Sequence, residues 1–169
     1  MLARLQKFLA LTLALVAVVW VVWILPVSLM LALAGLALLA LGHALFLAIE
    51  FMAVYFVNKR DTVPHAGVLA MVRAWVGESI MAPRVFLWRQ PFRSNVIPDS
   101  MGVDGARGVY SKRGVVFVHG FVCNRGFWNP WMAQLQGRGN AFAAVNLEPV
   151  FGSIHEYVPQ IEAAVAQVT

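Results

Sequence analysis

The chain has 169 residues, 60% hydrophobic and 12% charged, against about 25% charged in an ordinary soluble domain. Its 13 Lys and Arg outnumber its 8 Asp and Glu, a net charge of +5; in so apolar a chain this points first to anionic lipid headgroups, and the scattered arginines with no recognition motif exclude a nucleic-acid partner. One cysteine, Cys123, excludes an internal disulfide and any cysteine-based metal site, and neither a metal nor a cofactor is expected.

The apolar excess is concentrated at the start. From Phe8 to Ile49, 42 residues carry no Asp, Glu, Lys or Arg. As one helix that run would be roughly 63 Å long, about twice the thickness of a bilayer core. Pro26 breaks it: proline removes a helix hydrogen bond and biases Leu25 away from helical angles, and Ser28 follows as a candidate N-cap. The reading is two spans, near Leu5–Leu25 and Ser28–Ala48, the second extending toward Val57. Trp20 and Trp23 fall by the turn, at interface depth. Gly35, Gly42 and the many alanines suit close helix packing. A cleaved signal peptide fits poorly, because its apolar region is only about 7–15 residues long. His43 and Glu50, seven apart, share a face of the second span. A buried functional pair is one reading; the favoured one puts Glu50 at the headgroups and packs His43 on the first helix. Arg4 and Lys7 precede the first span, Lys59 and Arg60 follow the second, and the turn has neither. The positive-inside rule then puts both termini in the cytoplasm.

From Asn58 the composition shifts to Lys, Arg, Pro and Gly. Between Pro64 and Pro83, Val68, Leu69, Val72, Trp75 and Val76 fall on one helical face, opposite Arg73 and Gly77. Such a helix either lies on the inner leaflet, assisted by Lys59, Arg60 and Arg73, or packs on the next domain. The segment GESIM lacks the second glycine of G-x-S-x-G and follows no strand, so its serine is not read as a nucleophile. RVFLWR (84–89) reads as a short strand, followed by a turn-rich connection with Pro98, Gly102, Gly105 and Gly108.

Val115–Val118 is a continuous apolar run suited to a strand covered on both faces. Asn129-Pro130 signals a helix start, with Asn as N-cap; Trp131 and Leu135 face inward, and Gly137 or Gly139 ends the helix. Ala141–Leu147 is a second apolar strand. Ser153 and Glu156 have capping-box spacing, and Ile154, Tyr157, Val158, Ile161, Val165 and Val168 then follow helical spacing, with Pro159 as a flaw. The order strand–helix–strand–helix predicts an α/β unit with a parallel sheet.

VVFVHGF after the first of these strands resembles the oxyanion loop of α/β-hydrolases of the lipase and esterase type. NLEPVFGSI after the second is similar to the corresponding stretch of bacterial membrane-anchored members. The resemblance covers roughly the last third of the chain. It implies that the backbone N–H of Phe121 is an oxyanion donor, that Gly120 lets the backbone turn closely and that His119 braces the loop by hydrogen bonds. Losing one such donor typically costs about 3–4 kcal/mol of transition-state stabilisation. His65 and His155 are assigned to the surface or to capping. Cys123 lacks a His–Asn partner set and is read as a packing residue.

The family's serine elbow, acid and histidine are missing from the chain, which stops inside the last amphipathic helix. The expectation is an inactive N-terminal portion of a longer hydrolase: a two-helix transmembrane hairpin (1–57), a juxtamembrane region (58–112) and the truncated start of an α/β-hydrolase parallel sheet (113–169). Its implied function is membrane-anchored hydrolysis of a carboxylic ester or lipid, with the bilayer as partner. The competing reading is a non-catalytic membrane protein whose hydrolase-like domain binds a partner or lipid. A small transporter would need more spans and facing polar residues. The topology has a direct check: a reporter fused after Asn58 is expected on the cytoplasmic side, and protease-accessible reporter outside the cell reverses the orientation.

Overall fold

The computed structural model describes residues 1–59, 62, 66–101 and 114–169. The expectations for Arg60, Pro64, His65, Gly102, Gly105 and Gly108 lie outside the described residues. The chain is mostly helical, with a small two-stranded parallel sheet. It divides into two compact units: Leu9–Arg84, and a second that joins Met1–Phe8 to Val85–Thr169. This division differs from the three compositional segments because packing, not composition, delimits a compact unit.

Helix α1 (Leu2–Ile24), whose first turns belong to the second unit, and helix α2 (Leu29–Asn58) of the first are interrupted where Pro26 requires it. Ser28 caps α2, its hydroxyl accepting from the Leu31 N–H at 3.3 Å. Both helices are long and apolar enough to cross a membrane, and their apolar side chains are largely exposed, Leu11, Leu15, Leu33 and Leu45 among them. A core helix of a soluble protein would bury that stripe instead; exposed apolar side chains on a long helix suit contact with lipid. Near the turn the Trp20 indole N–H donates to the Ala32 carbonyl at 3.2 Å. Trp20 also lies against Gly35, where a Cβ would collide with its ring. Gly42 has nothing within 4 Å of its would-be Cβ and so serves no close packing.

Helix α3 (Val68–Pro83) packs on α2. The Trp75 indole N–H donates to Ala44 O, and His43 Nε2 donates to Ser79 O, each at 2.8 Å. His43 is therefore held by α3 rather than by the first helix, and its tautomer is set by a carbonyl that can only accept. The half-buried stripe of α3 is Met71, Trp75, Ser79 and Ala82, while Val68, Leu69, Val72 and Val76 stay exposed. Of the predicted apolar face, Trp75 is the half-buried member, while Val68 and Val72 line an apolar groove between α3 and α2 with Met52, Tyr55 and Phe56. Arg84–Arg89 is not a strand: it continues α3 as a π-helical stretch into the short helix α4 (Gln90–Phe92). Four consecutive apolar residues carry no period that separates strand from helix, and extending an existing helix needs no new nucleus.

In the second unit, strand β1 (Val115–Phe117) pairs in parallel with strand β2 (Phe142–Ala144), Val116 opposite Ala143. Both strands are shorter than predicted, although Val145 N–H still reaches Phe117 O at 3.1 Å. The strand alternation sends Phe142 and Ala144 to one face, with Phe117 and Met132. Ala143 and Val145 go to the other, with Ala164. Helix α5 (Asn129–Gly137) covers the first face and helix α6 (Ile154–Val168) the second, so the sheet is sandwiched as its unbroken apolar strands require. The outer edge of β2 is occupied by Ser100, which exchanges both backbone bonds with Phe142, and by the Asp99 carboxylate, which accepts from Ala144 N–H. The capping box of α6 is formed: Glu156 accepts from Ser153 N–H at 2.7 Å.

Asn129 is not the cap of α5. Winding begins earlier, as a 3-10 turn over Arg125–Trp128 capped by Asn124, whose Oδ1 accepts from Gly126 N–H at 2.8 Å. Asn129 instead donates its side-chain amide to Arg93 O. Phe142 is fully buried between Phe117 and Met132. Phe142→Ala is expected to cost about 3–5 kcal/mol, read as a lowered midpoint in chemical denaturation followed by tryptophan fluorescence.

Candidate functional site

Two loops leave the carboxyl ends of β1 and β2, the edge of a parallel sheet where α/β proteins place their ligands. The first runs from Val118 to Asn124, the second from Asn146 to Gly152. His119 joins them. It is 8% exposed; its Nε2 accepts from Leu147 N–H at 3.0 Å, and its Nδ1 lies 2.9 Å from Gly120 O. An N–H can only donate and a carbonyl can only accept, so the proton sits on Nδ1 and the ring is neutral. Burial pushes its pKa below the ordinary histidine value, while the bond to Gly120 opposes the shift. With both nitrogens engaged in backbone bonds, His119 is a brace between loops, and it has no free nitrogen with which to act as a base.

Phe121 and Val122 form the tip. Cys123 N–H donates back to Gly120 O at 3.2 Å, closing a four-residue turn. Val122 has φ 57°, so the third residue of the turn is left-handed, as in a type II turn that ordinarily demands glycine or asparagine there. A β-branched residue in that region is strained, and such strain concentrates at functional sites. Gly120, in contrast, is not required by the turn: a Cβ there would meet nothing within 4 Å, and its φ is not left-handed. The sequence assigned the tight geometry to Gly120; the backbone places it two residues later. The amides of Phe121 and Val122 have no hydrogen-bond acceptor among the described residues, and neither belongs to a helix or strand. The Phe121 ring is exposed and meets Phe151 of the second loop edge-on, with centroids 5.8 Å apart.

What holds the tip in a strained shape is a cluster of buried amides that the sequence reading did not single out. Gln6, Gln90 and Asn124 are 7%, 0% and 3% exposed. Gln6 Nε2 donates to Val122 O and to Gln90 Oε1, each at 3.0 Å. Asn124 Nδ2 donates to Gln6 Oε1 at 2.7 Å and to Gln90 O at 2.9 Å, and Asn124 N–H donates to Gln90 Oε1 at 2.8 Å. The left-handed Val122 is thereby fastened through its carbonyl to the second turn of α1. Gly126 completes the fit, since a Cβ there would press on Arg89 O at 2.9 Å. The next residue, Arg125, donates to Asp99 Oδ1 at 2.7 Å and to Ile97 O at 2.9 Å, and its N–H donates to Asn146 Oδ1. A glutamine beside the apolar run was the one available signal for this cluster; nothing local marks Gln90 or Asn124.

Cys123 is half-buried, and burial pushes its thiol pKa up, which disfavours the nucleophilic thiolate. His155 is exposed near the start of α6, its N–H donating to Ser153 Oγ. No group of three or more metal-ligating side chains occurs among the described residues. No protein-family model matches the chain, and no curated protein or solved structure matches it.

The neutral His119 carries a pH signature. Its native pKa lies below the unfolded value of 6.5, so acid favours the unfolded state, which takes up the proton more readily. Its contribution is complete above about pH 6.5 and declines as pH falls below it. Denaturation midpoints compared at pH 7.5 and 5.5 are expected to drop in acid, and His119→Gln, which keeps an acceptor for Leu147 N–H, is expected to flatten that difference.

Proposed function

We propose that the chain is the membrane-anchored, oxyanion-loop portion of an α/β-hydrolase acting on carboxylic esters or lipids at the cytoplasmic face of a bacterial inner membrane. One observation carries the reading: the Phe121 amide, at the carboxyl end of a parallel strand, is held in a strained turn with no intramolecular acceptor among the described residues. A developing oxyanion needs donors fixed before the reaction and not already spent on other bonds. His119, whose nitrogens are both engaged, supports the loop and leaves base catalysis to another residue. The chain contains no G-x-S-x-G segment, so the acyl-accepting serine, its acid and its histidine are supplied by residues outside it. Residues 1–169 alone then bind but do not turn over an ester. Anchoring by two spans tethers the chain to the bilayer, which favours substrates that partition there.

Proline at 121 provides the test. It removes the N–H, and proline is the preferred second residue of a type II turn, so the backbone keeps its shape. In the complete gene product, Phe121→Pro is expected to lower kcat for a p-nitrophenyl ester by about 10²–10³-fold. Phe121→Ala, which retains the amide, is expected to keep kcat near wild type. A complete product with no ester turnover, or Pro and Ala variants of equal kcat, rejects the hydrolase reading and leaves the non-catalytic binding domain.

A further inference from the structure

Beside the brace and the amide cluster lies a cleft of about 480 Å³, bounded by the first two turns of α1, the segment after α4 and both loops. Its charge is lopsided. Arg4 and Lys7 line it, three residues apart and thus on one face of α1, together with the Met1 α-amino group. Among the described residues the one carboxylate in the lining, Glu148, is already paired with that amino group. Neither Arg4 nor Lys7 has an ion-pair partner among the described residues, and Lys7 rests over the Phe92 ring with Nζ 5.4 Å from its centroid. Asn95 and Asn146 add amide groups to the same walls. A cavity with two uncompensated cations and neutral hydrogen-bonding side chains is complementary to a compact anion with several acceptor oxygens.

We infer that this cleft is a phosphate-binding site, taking the phosphodiester of an anionic phospholipid headgroup or a free phosphate. The position favours the lipid source. Arg4 and Lys7 sit on the opening turns of a candidate membrane span, the depth at which headgroup phosphates lie and where basic side chains meet them. The inference is independent of ester hydrolysis: it uses neither the Phe121 amide nor a nucleophile.

The cleft contains its own reporter, because Cys123 is the only cysteine of the chain and lines the same cavity. The 169-residue protein in neutral maltoside micelles is alkylated with a maleimide, with and without short-chain phosphatidylglycerol, inorganic phosphate, or a diacylglycerol of equal chain length. Phosphatidylglycerol is expected to slow labelling several-fold and diacylglycerol to leave it unchanged. Slowing by inorganic phosphate as well shows that the phosphate group suffices; slowing by the lipid alone assigns the headgroup as ligand. Arg4→Gln with Lys7→Gln is expected to raise the half-protecting concentration about 10–100-fold, as for lost charge-assisted hydrogen bonds. Asn146→Asp keeps the acceptor for Arg125 N–H while adding a negative charge, and is expected to weaken protection in the same direction even if the double variant folds poorly. Equal slowing by diacylglycerol, no slowing by either phosphate probe, or undiminished protection in Asn146→Asp overturns the assignment.

Discussion

A buried amide that leaves water must recover its hydrogen bonds inside the protein, and an unmet one costs about 1–3 kcal/mol. Gln6 and Asn124 meet this constraint through Gln90, one another and the surrounding backbone, and Gln90 Oε1 accepts twice while its Nε2 is left without a partner among the described residues. Three segments far apart in sequence are thereby made interdependent: the start of α1, the start of α4 and the loop after β1. The carbonyl of Val122, at the strained position of that loop, is a fourth member. Low dielectric strengthens such a cluster when it is complete and penalises it when a member is lost. The first turns of α1 are accordingly part of the loop's support as well as the lead-in to a candidate membrane span.

The parallel pairing of β1 and β2 has a complementary effect. It brings the carboxyl ends of both strands to one edge, and hence the Val118–Asn124 and Asn146–Gly152 loops side by side. His119 then connects them, its Nε2 accepting from Leu147 N–H in the second loop while its Nδ1 N–H donates to Gly120 O in its own. A neutral, buried imidazole is well suited to this because one nitrogen donates and the other accepts. The Phe121 and Val122 amides, without an acceptor among the described residues, and the cleft lined by Arg4 and Lys7 both border these loops.

Unit Leu9–Arg84 shows a different economy. Its helices leave most of their apolar side chains exposed, and three of its ring N–H groups make specific helix–helix bonds: Trp20 to Ala32, His43 to Ser79, Trp75 to Ala44. In an apolar solvent there is little gain from burying leucine, so indole and imidazole N–H groups and small residues such as Gly35 provide the specificity of packing.

Some of this was readable along the chain. Pro26 and Ser28 marked the break between α1 and α2, Ser153 and Glu156 marked the start of α6, and the unbroken apolar runs marked β1 and β2, because each of these signals acts through the backbone within four residues of itself. RVFLWR misled because a run without a period does not distinguish strand from helix, and Asn129 misled because Asn124 offered an earlier cap already held in place by Gln6 and Gln90. Only the tertiary structure decided the partner of His43, the role of Gln6, the left-handed turn at Val122 rather than Gly120, and the gathering of Arg4 and Lys7 at one cleft. Each of these depends on groups brought together from positions tens of residues apart, and no local preference of the backbone encodes such a meeting.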